Sequence, residues 1–396
     1  MDIPDSLRGR DSDTWQEETI TERLPAIARR VIEENHLTPA QATAVSALAD
    51  DMPSGHIRPL NDNSAPDSEQ WSTWLQPYIG QNWLDVPWFW AEMYFFRRIL
   101  EATGYFVPGV GFGLDPYYQQ KNDSLSQAES GLMEMLKATA QPARRETIQG
   151  VLVQALWGNQ ADLSVWLSTD NGNSTSPVGG HLLVDDTLLV ADQILTTRLA
   201  TTRIDLVADN AGVEFATDLI LIDFLLRRQL AQTIFLHIKP YPTFVSDATA
   251  PDLTSHLAYF QRSEMPELRI VGDRLVENIK LGRLRVRSHL FWVSPMAMWE
   301  MPADLRAIMD SSELILLKGD MNYRRLVGDR HWPYTTAVQA VPGVVNTPIF
   351  TLRVCKAEVA VGLQPDTLDK VYQSDPEWRT NGQWGMAQLH RPYSDR

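Results

Sequence analysis

The stretch IDLVADNAGVEFATDLILIDFLLRR, residues 204–228, decides how the chain folds. It opens on an apolar run of strand length, Ile204–Ala208. Asp209 and Asn210 follow at once, then Gly212, then an apolar segment long enough for a helix over 213–228. A second apolar run, TIFLHIK, leads from Thr233 to Lys239 and into the polar loop YPTFVSDAT, which carries Asp247. Strand, helix and strand in this order form a βαβ unit, and such units build parallel sheets with helices on their faces.

The same alternation continues outward. Strands are expected at Ile204–Ala208, Thr233–Ile238, Leu284–Val293, Glu313–Leu317 and Phe350–Cys355, and helices at 213–228, 252–264 and 302–311. Before residue 180 the texture is helical. Leu24, Ile27, Val31 and Ile32 recur at helical spacing within 14–35, and a polar loop runs from Met52 to Ser68. In WLDVPWFWAEMYFFRRIL, Trp83–Leu100, Pro87 suits the first turn of a helix reaching about Glu101. Its tryptophans read as core between domains. Two further helices are expected over 124–138 and 143–157, and a loop over 158–185 is a candidate wall of the pocket. The expected fold is α/β: a three-layer α/β/α, Rossmann-like, largely parallel sheet in residues 181–396, behind a helical domain in residues 1–180.

Bulk properties remove several function classes. A net charge of −15 leaves no basic stripe to displace counterions from a phosphate backbone, so nucleic acid is not an expected partner. The single cysteine, Cys355, excludes an intramolecular disulfide framework and a cysteine-rich zinc site; it reads as a core strand residue. The most apolar stretch, Leu219–Leu226, is interrupted by Asp223 and is too short to span a bilayer, and the N-terminus has no apolar signal region. A cytoplasmic location, away from membranes, is expected. The eight histidines form no HExxH pair, and Gly109–Gly113 follows no strand, so zinc-protease and nucleotide-loop readings fail.

In open α/β sheets ligands bind beyond the carboxyl ends of the strands. Asp209, Asn210 and Asp247 fall at that edge. Two carboxylates and an amide oxygen are hard donors suited to Mg²⁺ or Mn²⁺, and the N-terminus of helix 213–228 would turn free N–H groups toward an anion there. The same residues also read as a helix cap and a turn. A third strand end carries KGDMNYRRLVGDR, which brings Lys318, Asp320 and Asn322 to the same edge. Gly319 would allow a ligand close to the backbone. Arg353 and Lys356, on or just after a later strand, can hold a phosphoryl group or be solvated surface charge.

Together these segments resemble the damage-control phosphatase family, formerly a domain of unknown function. The resembling branch includes a protein described as an acidic-residue (protein-glutamate) methyltransferase and fungal sugar-phosphate phosphatases. The motifs are VADNAGVEFATDLILIDFLL, KPYPTFVSDAT and KGDMNYRRLVGDRHW, with PWFWAEMYFFRRI, LDPYYQQK and ALWGNQADLS nearer the N-terminus; they span about residues 70 to 363. The resemblance implies an α/β/α sandwich behind a helical bundle. It implies a divalent metal (Mn, Mg, Co or Ni) held by Asp209, Asn210 and Asp247. It implies substrate contacts from Glu214, from Lys318, Gly319, Asp320, Met321 and Asn322, and from Lys356. The family's Arg-Thr-x-Lys motif reads Arg353-Val354-Cys355-Lys356 here, so a hydroxyl donor is lost at Val354.

The function this implies is a metal-dependent phosphatase of small phosphorylated metabolites, with fructose 1-phosphate or fructose 6-phosphate as the first substrates to try. Lys356, with Lys318, would neutralise phosphoryl oxygens. Water or a carboxylate, for which Asp209 is the candidate, would attack in line. Water is preferred; Asp320 would orient or deprotonate it, or equally would cap the helix that includes Arg324 and Arg325. Glu214 would accept a sugar hydroxyl, or serve as a first-turn carboxylate that complements the helix dipole. Asp252 reads as the cap of helix 252–264. The alternatives are an S-adenosylmethionine-dependent carboxyl methyltransferase and a non-catalytic metabolite-binding relative.

Overall fold

The structure, a computed structural model, describes residues 2–10, 14–52, 54–126, 129–158, 181–196, 202–343 and 345–392. Most of the expected loop 158–185, and the second half of ALWGNQADLS, lie outside the described residues. The N-terminal part is helical. A one-turn helix α1, Trp15–Glu18, passes through a π turn, Thr19–Arg23, into α2, Leu24–Glu34. Then come α3 (Pro39–Asp51), α4 (Ser68–Leu75), α5 (Trp88–Thr103), α6 (Tyr118–Ser126), α7 (Glu129–Ala140) and α8 (Arg145–Trp157). Pro87 caps α5, and Gly104 ends it in the left-handed conformation that glycine adopts without a Cβ penalty.

The remaining elements alternate: β1 (Leu182–Asp185), α9 (Thr187–Thr196), β2 (Arg203–Val207), α10 (Val213–Arg227), β3 (Thr233–Ile238), α11 (Ala250–Arg262), α12 (Pro266–Lys280), β4 (Leu284–Ser288), α13 (Ala303–Met309), β5 (Leu314–Lys318), α14 (Asp320–Val327), β6 (Ile349–Val354), α15 (Pro365–Ser374) and β7 (Gly385–His390). They form a seven-stranded sheet in the order β1-β7-β6-β5-β2-β3-β4. β6, β5, β2, β3 and β4 run parallel. β7 is antiparallel to β6, and β1 is parallel to β7, so these two strands are reversed.

All five expected strands form. The one over Leu284–Val293 is shorter than expected: it stops at Ser288, where the His289 ring accepts the Phe291 N–H and turns the chain into a 3₁₀ turn, Leu290–Val293. The two reversed strands, helices α3, α4, α9, α12 and α15, and most of α6 lie outside what the pattern predicted. Asp252 is not the cap of α11 but the third residue of a capping box. Thr249 caps the helix, and its N–H and hydroxyl donate to the Asp252 carboxylate.

Alternating side chains bury both faces of the sheet. Ile204, Leu206, Leu314 and Leu316 pack with residues of α7, α8 and α10. Val207, Ile315 and Leu317 face Trp292, Leu305 and Met309 on the other side. A further core joins α2, α3 and α5 to Tyr241, Met321 and Tyr323. Both large cores therefore draw on residues from either side of residue 181, and the N-terminal helices are seated against elements that leave the carboxyl edge of the sheet. Trp83 and Trp90 are buried there as core residues. Among the described residues no helix is long and apolar enough to cross a membrane.

Candidate functional site

β2 and β3 are register neighbours, pairing Val207 with His237. Beyond that pair the two chains stay joined. The Ala248 N–H donates to the Asp209 carbonyl at 2.8 Å, and Asn210 and Asp247 face each other across an antiparallel bridge. The loop reaches this position through two non-glycine residues with positive φ, Phe244 (45°) and Val245 (62°). Such backbone costs about 1–3 kcal/mol per residue and persists where its surroundings fix it, commonly at functional sites. Here it delivers Ser246 and Asp247 to Asn210, with the Ser246 hydroxyl donating to the Asn210 side-chain oxygen.

The carboxylates so placed are almost sealed from solvent: Asp209 is 4% exposed and Asp247 1%. Oδ1 of each is buried without a hydrogen-bond partner among the described residues. Burial, then the charges of Asp247 and Glu214, push the Asp209 carboxyl well above the usual carboxylate range, against Lys239 and Lys356. Burial raises Asp247 too, against Lys239, whose Nζ lies 3.1 Å from Asp247 Oδ2. Two buried carboxylates with orphaned oxygens and a raised proton affinity would be relieved by a cation. The Asn210 amide nitrogen sits 2.8 Å from Asp209 Oδ2 and 2.9 Å from Glu214 Oε2. It can present its oxygen there only by turning over, with Ser246 changing from donor to acceptor. Among the described residues no group of three or more His, Cys, Asp or Glu is arranged as a metal cage. The expected set differs in kind, with two carboxylates and an amide.

Gly319 closes the floor. A Cβ there would stand 1.8 Å from Asp209 Oδ2, and its φ is +83°. Glycine is therefore required twice over, by contact and by backbone. Asp320, the first residue of α14, accepts Arg353 Nε at 2.7 Å and the Lys356 N–H at 3.2 Å.

Asp209, Asn210, Glu214, Asp247, Gly319, Asp320, Met321 and Lys356 line one cavity of about 220 Å³. Three expectations are corrected. Lys318 does not line the cavity. Its ammonium is buried behind it, donating to the Ala155 carbonyl (2.7 Å), Glu214 (3.1 Å) and Asp218 (2.7 Å). Burial alone would lower its pKa, but Asp218 and Glu214 raise it, so it stays charged. Burial raises Asp218 against Lys318, with Glu214 adding to the rise, since two carboxylates share one ammonium. Asn322 is buried as well, its amide donating to the Ala208 and Lys318 carbonyls. Arg353 is committed to Asp320 and to the Ala357 and Val359 carbonyls, so it braces the wall and does not face a ligand. The helix N-terminus is also partly spent: the Gly212 N–H donates to His256 Nε2 at 3.1 Å. Cys355 is buried, its thiol pushed up to about 11 mainly by burial, as expected of a core residue.

The opposite wall was not anticipated. The N-terminal helices contribute Trp15, Arg23, Trp88 and Glu92, and α14 contributes Arg324. Arg324 lies 3.7 Å from the Trp88 ring and is paired with Glu92 (2.7 Å) and Asp329 (2.8 Å). Glu92 was readable as the one carboxylate inside the otherwise apolar WFWAEMYFF; Arg23 carried no signal. Val354 lines the cavity too, so the hydroxyl it replaces is missing from the wall itself.

A family model described as the damage-control phosphatase ARMT1-like domain matches residues 19–371. The chain is 30% identical to the protein named damage-control phosphatase ARMT1 of Danio rerio, over 99% of this chain and 98% of that one. It is also 30% identical to the Homo sapiens protein of that name, over 98% and 99%. In fold it is similar to the crystal structure of a DUF89 family protein from Pyrococcus horikoshii. The TM-score is 0.51 at 15% identity, covering 94% of this chain and 98% of that one. The chain thus belongs to the damage-control phosphatase ARMT1-like domain family.

Proposed function

We propose that the chain is a metal-dependent phosphatase of small phosphomonoesters, with sugar phosphates such as fructose 1-phosphate and fructose 6-phosphate as its first candidate substrates. The observation that carries the reading is the buried pair Asp209 and Asp247. Each holds an oxygen without a partner among the described residues, at a cavity that Lys356 also lines. With Asn210 they would hold a divalent cation, Mn, Mg, Co or Ni, chosen by hard oxygen donors. Such a cation supplies a Lewis acid that draws charge from a phosphoryl group and eases deprotonation of an attacking water.

The chain's own residues do the rest. Lys356 binds phosphoryl oxygens and neutralises the charge that develops on them. Asp320, held by Arg353 at the start of α14, orients the water and takes its proton. Glu214 accepts a substrate hydroxyl, and Lys318 fixes its carboxylate from behind. Gly319 lets Asp209 reach the site, and Met321 adds an apolar surface.

The test is phosphate release from fructose 1-phosphate, fructose 6-phosphate and p-nitrophenyl phosphate by chelator-treated protein, with each metal in turn. Release with at least one metal supports the reading. No release with any, together with methyl transfer from labelled S-adenosylmethionine, replaces it.

A further inference from the structure

Among the described residues five carboxylates line the cavity, and four have a basic partner. Glu92 has Arg324 (2.7 Å), Glu214 has Lys318 (3.1 Å), Asp247 has Lys239 (3.1 Å) and Asp320 has Arg353 (2.7 Å). The fifth, Asp209, is a proposed metal ligand. Among the described residues, the lining cations without an ion pair of their own are Arg23 and Lys356. They come from different parts of the fold. Lys356 follows β6 at the carboxyl edge of the sheet, and its charge acts on Asp209. Arg23 comes from the N-terminal helices, and its charge acts on Glu92.

Arg23 is exposed at the cavity, held by its neighbours on one face and open to solvent on the other. It ends the π turn Thr19–Arg23, an irregularity found often at functional sites. Its guanidinium lies 4.6 Å from the Trp15 ring, and its hydrogen bond to Thr19 Oγ1 is long, 3.5 Å. Stacking steadies the planar group by its face and leaves its edge donors for an anion. Arg324, by contrast, which lines the same cavity, is paired with both Glu92 and Asp329.

We infer that Arg23 and Lys356 read two separate anionic groups of one substrate: the phosphoryl group to be cleaved at Lys356, beside Asp209, and a second phosphate or a carboxylate at Arg23. The inference rests on the phosphatase reading and, within it, ranks phosphomonoesters with a second anion, such as sugar bisphosphates or phosphorylated sugar acids, above the singly anionic fructose phosphates. A substrate with no second anion would fill the Lys356 end and leave the exposed Arg23 to water.

Matched pairs test it. KM and kcat are measured for fructose 6-phosphate against fructose 1,6-bisphosphate, and for glucose 6-phosphate against 6-phosphogluconate, with wild type, R23Q and R23K. A charge-assisted hydrogen bond predicts a wild-type KM about tenfold or more lower for the doubly anionic member of at least one pair. R23Q closes that gap and R23K restores part of it; the bisphosphate and the sugar acid tell which anion is read. Equal wild-type KM values within both pairs, or a gap that survives R23Q, overturn the inference. If no ester is hydrolysed, the phosphatase reading falls. Calorimetric binding of fructose 1,6-bisphosphate to wild type and R23Q then still decides on Arg23: weaker binding by R23Q upholds its role, and equal affinity removes it.

Discussion

Replacing Gly319 by alanine is a small change with a large calculable effect. The added Cβ would lie 1.8 Å from Asp209 Oδ2, 2.1 Å from its Cγ and 2.5 Å from its Cβ. Rotating the carboxylate relieves the first two contacts but not the third, because an Asp Cβ moves only with its backbone. That backbone is pinned: the Asp209 carbonyl accepts the Ala248 N–H, and the preceding Ala208 N–H is held by His237 at 3.0 Å. Ordinary contact begins at 3.4 Å, so the two chains must separate by about 1 Å. Gly319 also sits at φ 83°, ψ 169°, where a side chain costs about 1–3 kcal/mol. G319A should therefore lower Tm by a few degrees. It should also reduce kcat/KM by about a hundredfold, the usual consequence of a 1 Å misplacement at a reacting centre. Thermal melts and p-nitrophenyl phosphate kinetics with saturating Mn²⁺ read both effects. A G319A protein with wild-type Tm and kcat/KM would refute the claim that Asp209 is held against this glycine.

Two further substitutions probe the frame around the site. Lys318→Met leaves Glu214 and Asp218 buried without their shared cation, and should cost about 3–5 kcal/mol in urea unfolding at pH 7; a cost below about 1 kcal/mol would show that the ammonium is dispensable to the fold. His390 reports on acid stability, because burial pushes its pKa down to about 3 and its Nε2 has no partner among the described residues. Against an unfolded value near 6.5, its contribution is complete above that pH and is lost as pH falls toward 3. Wild type should lose about 2 kcal/mol more than H390Q between pH 7 and pH 5. Parallel unfolding curves for the two proteins across that range would contradict the burial argument.

The βαβ unit and its donors were legible because strand, polar pair, glycine and helix place residues at a sheet edge by geometry alone. Asp209, Asn210 and Asp247 meet there for that reason. Lys318 and Arg353 were misjudged because a strand end fixes position, not direction. The side on which a terminal side chain emerges depends on the pleat and on what lies behind it. Asp218, a carboxylate inside the apolar run of α10, was the available hint that a buried cation waited for it. β7 and β1 escaped because their pairing joins segments some 200 residues apart, which local periodicity does not register. Arg23 escaped for a similar reason: its side chain matters through the packing of α2 and α5 against the sheet edge, a contact written nowhere in its own neighbourhood.

The central claim is that Asp209, Asn210 and Asp247 hold a catalytic cation. Calorimetric titration of Mn²⁺ into chelator-treated wild type and D247A tests it most directly. The account predicts one Mn²⁺ bound per wild-type chain, with the site lost in D247A while its circular dichroism spectrum stays native. Equal Mn²⁺ binding by the two proteins, or none by wild type, would contradict it.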